Sequence, residues 1–209
     1  MKFILGLILS AITFTATAAD IFPIRNDIGI KTKTSTEKVA IFYIDNSRFD
    51  NDLVYSVMIS KWNQDGEQKT DELITNSPIV KVPKGSRVPV KLIFKGQRTE
   101  VQQTFRVLFL QETANQSNGV NIHPGFNIPV FIEPTVPKKT NIVYEEKDGM
   151  YVIRNTGNET FKFKSNEELK PIISRNKQSF KYFYILPNSD IKINNKKDFN
   201  TVKEIIEKQ

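Results

Sequence analysis

The chain has no cysteine and a single histidine, His123, in 209 residues. Without thiols there are no disulfides, no cysteine nucleophile and no thiolate metal cluster. One imidazole excludes any site that needs two, and leaves one candidate base for a serine-type triad. His123 stands in Asn121-Ile122-His123-Pro124, with no Gly-x-Ser-x-Gly context anywhere in the chain. Phosphate-binding loops, dinucleotide fingerprints and metal-ligand spacings are missing as well. The adjacent Glu145 and Glu146 would point to opposite faces of a strand, a poor arrangement for paired acid–base work. These absences imply no catalytic residues, no cofactor and no metal.

What is present is a basic, phenylalanine-rich chain: a formal net charge of +7, 39% hydrophobic residues and 15 Phe. The length suits one large domain or two of about 100 residues each. Lys and Arg are scattered and matched locally by Asp and Glu, which argues for a solvated basic surface and against a nucleic-acid partner. At the N-terminus one positive charge, Lys2, precedes an apolar stretch ending near Phe14, followed by Ala16-Thr17-Ala18. This order reads as a signal peptide over residues 1–18 with an A-x-A cleavage site. Its removal takes away only Lys2 and lowers the formal charge by one, from +7 to +6. No later segment is apolar enough to span a bilayer, so no membrane insertion of the mature chain is expected.

Beyond the leader the apolar segments follow strand periodicity. Val39–Ile44 ends at Asp45-Asn46-Ser47, and Leu53–Trp62 ends at Asn63-Gln64-Asp65-Gly66, both turn signals. Val88–Phe94, Phe105–Leu110 and Phe126–Ile132 complete a first set, an expected antiparallel sandwich over residues 19–134. Glu133-Pro134-Thr135-Val136-Pro137-Lys138-Lys139 cannot continue a central strand and is read as a hinge. Residues 135–209 repeat the strand-and-turn pattern in Asn141–Tyr144, Met150–Arg154, Phe161–Phe163 and Tyr182–Leu186. Only Thr201–Gln209 reads as helical. Asn115-Gln116-Ser117 and Asn158-Glu159-Thr160 match glycosylation sequons, a pattern common by chance. The expected fold is all-β, two immunoglobulin-like sandwiches in series.

Several of these segments, taken in order, resemble the periplasmic chaperones of the chaperone–usher pilus pathway, in particular its archaic or Csu-like branch. Lys61-Trp62-Asn63-Gln64-Asp65-Gly66 is similar to that family's strand-ending W-x-Q-x-G segment. Ile74–Ile79 followed by Val82-Pro83-Lys84-Gly85 resembles its Pro-rich stretch before the next strand, and Val90-Lys91-Leu92 its apolar–Arg–apolar triplet. Phe105-Arg106-Val107 resembles the Y-R-l strand, and Asn127-Ile128-Pro129-Val130-Phe131 the end of the first-domain G strand. In the second half, Asn155-Thr156-Gly157-Asn158 and Tyr184-Ile185-Leu186-Pro187-Asn188-Ser189 resemble the N-x-G-N turn and the y-v-L-P-n-s segment.

The resemblance implies a boomerang of two domains in the periplasm, with pilus subunits and an outer-membrane usher as partners in fimbrium biogenesis. Such a chaperone lends its G strand to a subunit that lacks its own last strand. Val120, Ile122, Pro124 and Phe126 alternate on one face of that segment and are the expected donor residues. Burying three or four such side chains contributes roughly 5–10 kcal/mol gross. The same alternation would also suit the core of a last sandwich strand. The family further anchors the subunit's C-terminal carboxylate with a basic pair in the cleft. Arg25 matches the first cation; Pro129 stands where the second, a Lys, is expected, which leaves Lys91, Arg106 or no second cation at all. The alternative is a secreted structural β-sandwich, either a pilus subunit or an adhesin module. Pro23 interrupts the segment after the leader that a subunit would use as its donor. A carbohydrate-binding sandwich would need exposed aromatics on one face, whereas Trp62 is at a strand end.

Overall fold

The structure is a computed structural model that describes residues 20–25, 27–28, 38–112, 124–147, 149–164, 169, 172 and 182–208. The expected leader over residues 1–18, Val120, Ile122 and His123 lie outside the described residues. Of Asp20–Arg25, Asp27–Ile28 and Lys147 only the backbone is described.

Two sheets face each other in the first half. Strand β3 (Val39–Asp45) turns Ala40, Phe42 and Ile44 inward, and β8 (Arg87–Phe94) turns Val90, Leu92 and Phe94 inward beside it. They form a four-stranded sheet in the order β1-β3-β8-β6, with β1 (Asp20–Arg25) and β6 (Leu73–Thr75) at its edges. The chain then changes sheets. The register slips between Pro23 and Arg25, and β2 (Asp27–Ile28) pairs in parallel with the opposite sheet at Phe131 and Ile132. That sheet runs β2-β10-β9-β4-β5, formed by β10 (Gly125–Ile132), β9 (Gln103–Glu112), β4 (Leu53–Asn63) and β5 (Gly66–Lys69). Strand β7 (Ile79–Val82) pairs with the first part of β4.

Alternation decides the face of each strand, because successive side chains point to opposite sides. Tyr55 and Val57 of β4, Phe105, Val107 and Phe109 of β9, and Val130 and Ile132 of β10 meet the first sheet in one cluster. Phe42 and Phe109 touch across the sandwich at 5.5 Å between ring centroids. Phe109 is fully buried. Its replacement by Ala leaves a ring-sized void between the sheets and is expected to cost about 3–5 kcal/mol. Urea denaturation would show this as a lower midpoint at unchanged slope.

The second half builds its own core. Strands β11 (Ile142–Lys147), β12 (Met150–Asn155) and β15 (Asp190–Ile193) form one sheet, and β13 (Phe161–Lys164) pairs with β14 (Tyr182–Ile185) in another. Ile153, Phe163, Phe183, Ile185, Ile191 and Ile193 meet between them. Helix α1 (Lys196–Glu207) closes the unit with Val202 and Ile206 buried. It begins five residues before the expected Thr201, since Asn195 caps it by accepting a hydrogen bond from the Asp198 amide at 2.9 Å.

Strand β10 stops at Ile132, and the Pro-rich segment after it is clasped from both sides. Arg98 donates to the carbonyls of Glu133 and Pro134 at 2.8 and 2.6 Å, and Lys138 pairs with the buried Glu133 at 2.7 Å. From the second unit, Asn158 donates its amide to the carbonyls of Pro137 and Glu100 and accepts from the Lys139 amide at 2.7 Å. The sequon asparagine is thus engaged in joining the halves.

Candidate functional site

Strand β10 carries a gradient of burial. Its even-numbered residues face the sandwich core: Ile132 and Val130 are fully buried, whereas Ile128 and Phe126 pack against the core while staying partly exposed. Pro124 precedes them, half-buried, with its carbonyl accepting from Gln111 of β9 at 3.0 Å. One apolar face therefore leaves the core toward the segment that holds Ile122 and Val120. β9 covers all of β10 on one side, from Gly125 opposite Leu110 to Ile132 opposite Gln103. On the other side, among the described residues, β10 has a strand partner only at Phe131 and Ile132. Along Gly125–Ile128 no second strand pairs with β10 among the described residues. Pro129 has no amide hydrogen to give to a strand ladder.

The basic candidates separate onto different faces. Arg25 occupies the register position opposite Ile41 in β3, and Lys91 of β8 stands opposite Ile41 from the other side. Lys91 is exposed on the outer face of the four-stranded sheet. Arg106 belongs to the outer face of the other sheet, in the row containing Ser60 of β4 and Pro129 of β10. The chain has Pro129 where the resemblance implies a lysine, and Arg106 is its direct cross-strand neighbour. Lys91 and Arg106 occupy opposite sides of the sandwich, so they do not form one clamp.

Arg106 is 5% exposed. Its guanidinium lies over the Trp62 ring at 3.9 Å, within the range of a cation–π contact. Trp62 meets Tyr184 of the second unit edge-on at 5.6 Å, and Leu186, Phe131 and Tyr182 complete this satellite cluster. Burial pulls the Arg106 guanidinium below its ordinary value, opposed first by Glu67 and then by Tyr184; the group nonetheless stays cationic. The Tyr184 phenol is pushed up by the same burial, with Arg106 opposing. Nε of Arg106 is buried without a hydrogen-bond partner. The nearest carboxylate oxygen, from Glu67, is 3.8 Å away. A buried donor of this kind favours an added acceptor.

Beside the cluster a cavity of about 370 Å³ opens between the two halves, lined by Trp62, Gln64, Gly66, Tyr184, Asp190 and Lys192 among others. Gln64 bridges it to Asp190 at 3.2 Å. The tight turn that brings Gln64 there depends on Gly66, whose φ of 118° lies where side chains are disfavoured. Among the described residues no cluster of three His, Asp or Glu is placed to hold a metal ion, and no helix is long and apolar enough to cross a membrane.

The architecture defines a two-domain all-β protein with an apolar strand leading out of its core and a cation between its halves. More particularly, it has the fold of the chaperone–usher pilus chaperones. A chain of the CsuC–CsuE chaperone–tip adhesin pre-assembly complex, from the archaic Csu pili of Acinetobacter baumannii, is similar at 18% identity and a TM-score of 0.64, over 85% of this chain and 90% of that one. The Salmonella enterica complex of SafA pilin with the SafB chaperone matches at 12% identity and 0.58, covering 86% of both chains. The Escherichia coli chaperone DraB matches at 9% and 0.57, over 85% of both. No family profile matches the sequence, and no curated protein matches it.

Proposed function

We propose that the chain is a periplasmic chaperone, not an enzyme, that captures pilus subunits by adding β10 and the segment before it to their open sheet, and passes them to an outer-membrane usher. One observation carries the reading: an apolar strand that runs out of the core and, along Gly125–Ile128, has a strand partner on one side only among the described residues. An unpaired edge offers its main-chain groups to an incoming strand, while alternate side chains fill the recipient's groove. The donor face is Val120, Ile122, Pro124 and Phe126, and Arg106 is the cation for the subunit's terminal carboxylate. The fold shared with chaperones solved alongside a tip adhesin and a pilin supports this choice over a structural pilus component.

Co-expression with a pilus subunit lacking its final strand tests the reading. The expected product is a 1:1 heterodimer by size-exclusion chromatography with light scattering. Elution of the two chains as separate species would remove the chaperone reading and leave the structural one.

A further inference from the structure

Arg106 is not open to the cleft on its own. Glu67, at the start of the β5 hairpin strand, stands opposite Trp62 on the outer face of the sheet. From there its side chain passes over β4 and β9. One carboxylate oxygen accepts from the Ser60 hydroxyl at 2.7 Å; the other lies 3.4 Å from the Asn127 amide of β10 and 3.8 Å from Nε of Arg106. The Glu67 side chain therefore reaches from β5 toward β10, across the one buried guanidinium of the described residues. It approaches without forming a hydrogen bond to Nε, which stays unpaired. Glu67 remains 45% exposed, against 6% for the Arg106 side chain, so water can replace the hydrogen bonds that the glutamate gives up on swinging outward, while the arginine is held by Trp62.

We propose that Glu67 is a resident placeholder: its carboxylate occupies the Arg106 site in the free protein and must be displaced by the terminal carboxylate of a captured chain. This rests on the chaperone reading above and adds its regulation. Two carboxylates on one guanidinium in a low-dielectric cleft repel, so a second can bind only as the first leaves. The free protein thereby avoids a bare buried cation, and weakly matching chains meet a competitor already in place. The hydroxyl of Ser60 and the amide of Asn127 hold Glu67 in this position; Asn127 belongs to the strand that pairs with the client.

Trp62 is the chain's single tryptophan and lies against Arg106, so its fluorescence reports the site directly. The probes are an N-acetylated alternating Val/Thr heptapeptide with a free C-terminal carboxylate and the same peptide as its C-terminal amide. Each is titrated into the full-length protein and into E67Q. The expected result is that wild type prefers the acid, and that E67Q binds the acid about tenfold more tightly while binding the amide unchanged. The gap should narrow as salt rises. If wild type prefers the acid but E67Q binds it equally or less well, Glu67 is no placeholder, and the chaperone reading stands. If acid and amide bind alike to both proteins, carboxylate recognition at Arg106 and the placeholder fall together while strand addition survives. If neither peptide binds either protein, both proposals are overturned.

Discussion

Replacing Val120 and Ile122 by Asp is expected to abolish capture of a strand-deficient subunit while leaving the two-domain protein folded. The parity of the chain carries this expectation. Ile132 and Val130 are fully buried, Ile128 and Phe126 partly so, and Pro124, Ile122 and Val120 continue the same even-numbered series in sequence. A strand that extends the sheet places that series in the recipient's apolar groove. An aspartate there takes a carboxylate out of water without a partner, at a cost of several kcal/mol for each position. With about 1.4 kcal/mol per factor of ten, two such changes weaken binding by more than about a thousandfold. Pull-down of the co-expressed subunit measures the loss. A melting temperature close to wild type shows that the fold is intact. Retained capture by a folded double variant would rule out donor-strand binding through this face.

The strands that bury large apolar side chains were legible because burial and pleat impose one period. β3, β8, β9 and β10 each show it in the bare sequence. β5 was not legible. Gly66–Lys69 carries no apolar alternation, and it is a strand because the Asn63–Gly66 turn folds it back on β4, with Asn63 accepting from the Asp65 amide at 3.0 Å. Apolar periodicity alone starts the helix at Thr201, five residues too late. Its first turn is polar, and the signal was a cap, Asn195 with Asp198 three residues on, which a search for apolar periodicity passes over. The sequence puts Arg25 first and offers Arg106 only beside Lys91 as a second cation. Its place over Trp62 depends on the β4–β9 register, which joins residues 44 positions apart. Glu67 is silent in the sequence. A glutamate in a polar hairpin gives no sign that it reaches across two strands; only the sheet order brings Ser60, Arg106 and Asn127 beneath one carboxylate.

Gly157→Ala is expected to loosen the join between the halves. A Cβ at this position would lie 2.1 Å from the Lys139 carbonyl oxygen and 2.8 Å from the Asn141 nitrogen. Both are backbone atoms, so no rotamer change relieves the clash, and the turn or the linker must move. The turn is held by many bonds at once. Gly157 donates to the buried Asn155 side chain at 2.9 Å, and Asn155 in turn donates to the carbonyls of Glu159 and Ile185. Asn158 exchanges hydrogen bonds with Lys139 in both directions and reaches Pro137 and Glu100. Displacing the turn exposes or orphans these groups together, which places the variant among the severe cases, at about 3 kcal/mol or more. For a chain of this length that corresponds to a fall in melting temperature of about 6–12 °C. The damage should extend to the cleft, because Tyr184 and Leu186, which close over Trp62, belong to the unit that the turn helps to orient. A red-shifted Trp62 emission before the main unfolding transition is the expected sign. A variant that melts with wild type and keeps the wild-type emission would show that the linker is not clasped by this turn.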